Sequence, residues 1–191
     1  VFNADSYPAF GLQTMGEKAI AATQPDGNMS LDLKIEQVKQ YPTKDGEVTE
    51  ILLKDKVYPF EIKQYYKAYQ GTDIISTWIE IMNNGKKSVT LYRFVSAYLP
   101  VQRGDNWLTH FHGHWGAENM LEEEKLTNGQ KVISNKDGMV NTETDNPSFM
   151  LSIDGKPQEE YGHILGYACL DRKLPSQNGY YKHKTKYYSR H

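Results

Sequence analysis

Three histidines alternate in His110-Phe111-His112-Gly113-His114, and Trp115-Gly116-Ala117-Glu118 follows directly. Alternate residues of an extended strand share a face, so imidazoles at i and i+2 can chelate one divalent metal ion. At ~3.3 Å per residue the outer pair, His110 and His114, lies about 13 Å apart, so one ion reaches all three only if the chain bends at Gly113. Without a metal, the same residues are polar rim groups beside a tryptophan. Tryptophan offers a second chemistry. Trp107 and Trp115 lie in the glycine-rich stretch from Gly104 to Gly116, where an aromatic face is expected to be exposed. An exposed indole stacks on the apolar face of a sugar or fills a protein interface. Trp78 lies within a strand pattern and is read as packing.

The set His112-x-His114-x-x-x-Glu118 resembles part of the first metal-binding motif of the cupin barrels. The glycine of that motif would fall at position 106, which is Asn106, and only His163, His183 and His191 remain downstream for a second motif. Other constellations are missing. Gly-x-Ser-x-Gly and phosphate-binding glycine loops are absent. Carboxylates are plentiful, but spacing alone does not place two of them ~5–9 Å apart across a glycosidic bond.

The elements that must position these residues have a period of two. Tyr58 to Tyr69 sets Tyr58, Phe60, Ile62, Tyr66 and Ala68 against Glu61, Lys63, Tyr65 and Lys67, the alternation of a half-buried strand. Ile74 to Met82 sets Ile75, Thr77, Ile79 and Ile81 against Ser76, Trp78 and Glu80. Asn83-Asn84-Gly85-Lys86 then reads as a type I′ turn into Ser88 to Leu99, giving an expected hairpin. Leu31, Leu33 and Ile35 alternate after the turn Pro25-Asp26-Gly27-Asn28; Val48 to Leu53, Lys131 to Ser134, Phe149 to Ile153 and Tyr161 to Tyr167 read as further strands. Short strands with frequent turn signals indicate an all-β, antiparallel sandwich or barrel. One short surface helix is expected at Ala117 to Lys125, which carries Glu122, Glu123 and Glu124 in a row.

The 191 residues contain 22 Lys and Arg against 24 Asp and Glu, for a formal charge of −2. That near-neutrality conceals two unlike parts. Residues 171–191 hold six basic residues and only Asp171 as an acid, a net of +5, which leaves −7 for residues 1–170. The segment also lacks Val, Ile, Phe and Trp, so 169–191 is expected to be a basic tail, disordered or read out of frame, that adds no buried strand. With no polybasic surface over the rest and no run of ~20 apolar residues, neither nucleic acid nor a membrane is an expected partner. The lone Cys169 excludes an internal disulfide framework and a thiolate zinc site. No signal peptide is visible, but the chain opens on Val1, so cytoplasm and export both stay open.

Taken in order, the segments resemble the N-terminal β-domain of glycoside hydrolase family 36, the α-galactosidases. Tyr7-Pro8-x-Phe10-Gly11 is similar to the family's opening, and Ile51-x-Leu53-x-Asp55, Tyr69-x-x-x-Asp73-Ile74-Ile75 and Ile81-x-Asn83-x-Gly85 to its next strands and turn. Arg93-x-x-Ser96-Ala97-x-Leu99, Gly113-x-Trp115-x-x-Glu118, Ser134-x-x-x-Gly138, Asn146-Pro147 and Glu160-x-Gly162-x-x-x-Gly166-Tyr167 continue the match through residue 168. Two departures stand out. The family's Gly-Asp-Phe-Arg after the opening motif is Leu12-Gln13-Thr14-Met15 here. After the closing strand, Ala168 to Pro175 departs from the family's Leu-x-Tyr/Trp-Ser/Thr-Gly-Asn-Phe/Tyr, and suitable codons read one base later restore that pattern.

The resemblance implies residues 1–168 folded as a galactose-mutarotase-like supersandwich, ahead of a (β/α)₈ barrel that carries both catalytic aspartates. A barrel of ~250 residues does not fit in this chain, which is therefore expected to have no catalytic residue and no cofactor. Its implied role is to scaffold the barrel and an oligomer built through the sandwich edges. Trp115, with Trp107 as a further candidate, would contact an α-galactoside, and Glu118 would orient the loop. A stand-alone carbohydrate-binding module is the alternative, and a cupin-like metal site at His112, His114 and Glu118 is the third reading.

Overall fold

The computed structural model describes residues 7–11, 18–95, 97–98, 101, 104–134, 148–153 and 155–156, together with the backbone of 163–170 and 181–190. Every regular element among the described residues is a strand. The chain divides into two compact units: 1–70 with 76–100 and 171–185, and 71–75 with 101–170 and 186–191.

In the first unit β1 (Ile20–Thr23) pairs antiparallel with β6 (Thr90–Phe94), setting Ile20 opposite Phe94 and Thr23 opposite Thr90. β2 (Leu33–Thr43), β3 (Gly46–Asp55), β4 (Phe60–Tyr69) and β5 (Ile74–Asn83) follow one another in a larger sheet. Between the layers lies one core in which Ala9, Ala19, Ile20, Ala22, Leu31, Leu53, Phe60, Ile62, Ile79 and Ile81 are buried. Fully burying a side chain of the Ile or Phe kind contributes about 1.5–3 kcal/mol, so these few residues carry much of the unit's stability. The antiparallel β-sandwich expected from the period-two pattern is what forms.

The family-like motifs in this unit act as fasteners. Tyr7 is buried, its hydroxyl donates to the Val95 carbonyl at 2.6 Å, and burial pushes its pKa up. Phe10 exchanges backbone hydrogen bonds with Ile20 and Leu31, both 3.0 Å. Gly11 has φ +100°, and a Cβ there would lie 2.6 Å from Ser30 Cβ, so conformation and space both require glycine. Asp55 accepts the backbone N–H groups of Asp32, Val57 and Tyr58 at 2.7, 2.9 and 2.9 Å, closing the β3–β4 turn.

Several expectations are corrected. Asn83-Asn84-Gly85 does not build a hairpin: β6 pairs with β1, and β5 lies between β4 and β11 (Tyr181–Arg190). The Asn83 side chain accepts from Gly85 N–H at 3.0 Å and donates to Lys87 carbonyl at 2.8 Å, while Asn84 N–H bonds Pro59 carbonyl at 2.8 Å. These contacts carry the chain from one sheet to the other. Tyr65, assigned by alternation to the polar face, is buried because it stacks on Trp78 at 4.8 Å and donates to Glu80 at 3.0 Å. Ile35 is exposed, since β2 is an edge strand with a register shift between Ile35 and Gln37. Lys131 to Ser134 forms no strand. Leu12 to Met15, Gly138, Asn146-Pro147 and Glu160 lie outside the described residues.

In the second unit β7 (Trp107–His114) pairs antiparallel with β8 (Ala117–Lys125) on one side and β9 (Ser148–Ile153) on the other; β9 pairs in turn with β10 (His163–Leu170). The helix expected at Ala117 to Lys125 is therefore β8. Consecutive glutamates suit a strand because alternate residues take opposite faces, and each finds a positive or imidazole partner. Glu124 meets Lys131, Glu123 meets Lys156 at 3.6 Å, and Glu122 faces His110 and His112.

Candidate functional site: the β7–β8 hairpin

Antiparallel register places His110 opposite Glu122, Leu108 opposite Glu124 and His114 opposite Ala117, which leaves Trp115-Gly116 as a two-residue loop. Gly116 has φ +81° with open space where a Cβ would stand, so glycine serves the turn rather than a close approach. The register shifts between His112 and His114, and the shift does not bring His114 to the other two histidines.

The loop leaves Trp115 85% exposed, the most exposed of the large hydrophobic side chains among the described residues. Glu118 is exposed beside it on β8 and makes an interaction of its own. Trp107 has a different setting. It begins β7, is half-buried, carries Lys156 Nζ 5.6 Å from its ring centroid, and has its indole N–H buried without a hydrogen-bond partner. Eight residues of extended chain, at ~3.3 Å each, put about 26 Å between the two tryptophans, so they do not form one stacking platform.

The cupin-like set is also redistributed. His114 and Glu118 are exposed and do not converge with His112. The ligand atoms that come together, all within 4.8 Å of one another, belong to His110, His112 and Glu122. His110 is 4% exposed, and its Nε2 lies 3.7 Å from Glu122 Oε2 and 3.3 Å from Glu124 Oε1; His112 Nδ1 is 3.6 Å from the same Glu122 oxygen. Neither ring nitrogen of His110 makes a hydrogen bond, and neither does His112 Nδ1. Glu124 is held below the usual carboxylate range by the Lys131 ammonium first and by His110 to a lesser degree.

A groove of about 730 Å³ beside Glu124 is lined in part by Leu108, Leu126, Lys131, Ile133, Phe149 and Leu151. Sequence reasoning singled out neither this groove nor Glu122. The loop alone does not point to Glu122: counted back from His114 opposite Ala117, unshifted pairing sets Leu121 opposite His110, and only the register shift between His112 and His114 brings Glu122 there.

The comparisons with known proteins agree with the motif order. Residues 3–170 match the Glycosyl hydrolase family 36 N-terminal domain. The chain is 23% identical over 179 residues to the alpha-galactosidase AgaA of Geobacillus stearothermophilus, covering 86% of this chain and 24% of that protein. It is 26% identical over 186 residues to the alpha-galactosidase Mel36A of Lactobacillus acidophilus, covering 87% of this chain and 25% of the relative. The chain thus spans about a quarter of the length of these curated relatives. Among solved structures it resembles AgaA crystallised in complex with stachyose, with a TM-score of 0.83 at 19% identity over 96% of this chain and 31% of that one. AgaB from the same organism gives a TM-score of 0.79 at 21% identity, over 96% and 27%. With the β-only fold, the ordered motifs and a family match over most of its length, the chain belongs to the N-terminal domain family of the family 36 glycosyl hydrolases.

Proposed function

We propose that this chain is the non-catalytic N-terminal domain of an α-galactosidase, an enzyme that removes terminal α-galactosides. It scaffolds a catalytic barrel and supports oligomer contacts, while Trp115 presents an indole face to a sugar at the pocket entrance. The observation that carries this reading is the division among the family-like motifs. Tyr7, Gly11, Asp55 and Asn83 are committed to backbone contacts, whereas Trp115 is 85% exposed on a two-residue loop. Oligomer contacts are supported by the edge strand β2, which exposes Ile35, Val38 and Tyr41; an unpaired edge with apolar side chains favours self-association. Crystallised relatives include AgaA in complex with stachyose and with raffinose, which supports an α-galactoside as the ligand.

The test joins this chain to the barrel of a family 36 α-galactosidase and compares raffinose hydrolysis with and without Trp115→Ala. An aromatic contact of about 0.5–1.5 kcal/mol predicts a rise in KM of roughly two- to tenfold with kcat little changed. An unaltered KM would remove Trp115 from the sugar. The exposure of Trp115 also favours a second reading, a stand-alone carbohydrate-binding module. Saturable raffinose binding by the chain alone, lost in Trp115→Ala, would select it over the scaffold.

A further inference from the structure

We propose that His110, His112 and Glu122 form a three-ligand site for a divalent cation of the zinc class, stapling β7 to β8 beside the Trp115 turn. His110 and His112 stand two residues apart on one strand, and Glu122 lies directly opposite His110 on the next, so the fold brings three donors to one strand face. Glu122 Oε2 is the shared vertex, 3.7 Å from His110 Nε2 and 3.6 Å from His112 Nδ1. Tetrahedral zinc with bonds of ~2.0–2.1 Å separates its ligand atoms by about 3.3–3.4 Å. Two edges of the triangle are therefore within a few tenths of an ångström of what the ion needs. The third edge, between the two imidazoles and at most 4.8 Å, closes by movement of the His112 ring, whose side chain is 41% exposed, with Glu122, 48% exposed, free to follow it.

The second observation is the state of His110. A side chain buried to this degree normally hydrogen-bonds its polar atoms, yet both of its ring nitrogens lack a hydrogen-bond partner. Its other neighbour, Glu124 Oε1 at 3.3 Å, is engaged by Lys131. A cation bound at Nε2 would satisfy that nitrogen and offset the charge of Glu122, leaving a fourth position for water. Two imidazoles and one carboxylate suit zinc, whereas calcium and magnesium require oxygen ligands in larger number. A bound ion would fix the hairpin three residues from Trp115. The rival occupant is a proton, with a positively charged His110 held between the two glutamates.

Calorimetric titration of the chelator-treated chain with zinc sulfate separates the two, with cobalt(II) absorption reporting the coordination geometry. The expected result is one equivalent of zinc, a tetrahedral cobalt spectrum and a raised unfolding temperature. His112→Ala and Glu122→Gln, both at partly exposed positions, should each weaken binding by at least about tenfold, and His114→Ala should leave it unchanged. His110→Ala removes a buried ring and can fail to fold, so the two exposed variants carry the test. No binding, binding retained in both variants, or binding lost in His114→Ala would overturn the assignment.

Discussion

The first unit and the β7–β8 hairpin use the same kinds of residue for opposite ends. In the first unit the motif residues look inward: Tyr7 reaches Val95 across 88 positions of sequence, Gly11 lets the chain pass Ser30, and Asp55 gathers three N–H groups. At the hairpin tip the glycine has empty space around its missing Cβ, and the aromatic residue faces solvent. The lesson is that a shared motif does not fix its own role. What separates fastener from contact surface is whether the polar atoms and the space around the residue are already used.

The contrast can be broken by substitution. Phe60→Ala, in the middle of the first core, should cost about 3–5 kcal/mol in urea unfolding, and a loss under 1 would mean the core lies elsewhere. Gly11→Ala adds a steric clash to a left-handed backbone and should cost about 2–4 kcal/mol. Gly116→Ala meets open space, so only the conformational cost of about 1–2 kcal/mol remains; equal losses at the two glycines would erase the distinction. Tyr7→Phe keeps the ring but orphans the Val95 carbonyl, for about 1–3 kcal/mol. Trp115→Ala should change the unfolding free energy by no more than about 0.5 kcal/mol, and a larger loss would show that the indole is packed.

Much of the fold was legible because strands with one buried face alternate, as Phe60, Ile62, Ile79 and Ile81 do. Pairing partners were harder to read. Asn83-Asn84-Gly85 has the composition of a hairpin turn, yet the Asn83 side chain closes a different turn and β6 crosses to β1. That outcome depends on contacts to Pro59 and on who occupies the edges of β5, neither of which is local. Ala117 to Lys125, with Glu122-Glu123-Glu124 in a row, reads as at most one helical turn on the surface; in β8 the three acids alternate and meet Lys131, Lys156 and two imidazoles. At the site the exposure of Trp115 followed from the glycines around it. The convergence of His110 with Glu122 did not, because it needs the hairpin register first.

As proposed, this domain supplies architecture and a contact surface, and the hydrolytic chemistry belongs to the barrel. The direct test is to incubate the purified chain with a chromogenic α-galactoside, using a complete family 36 α-galactosidase as the positive control. The expected rate for the chain alone is that of the buffer background. Turnover that copurifies with the chain and disappears when one of its carboxylates, such as Glu122 or Glu118, is replaced by glutamine would contradict it.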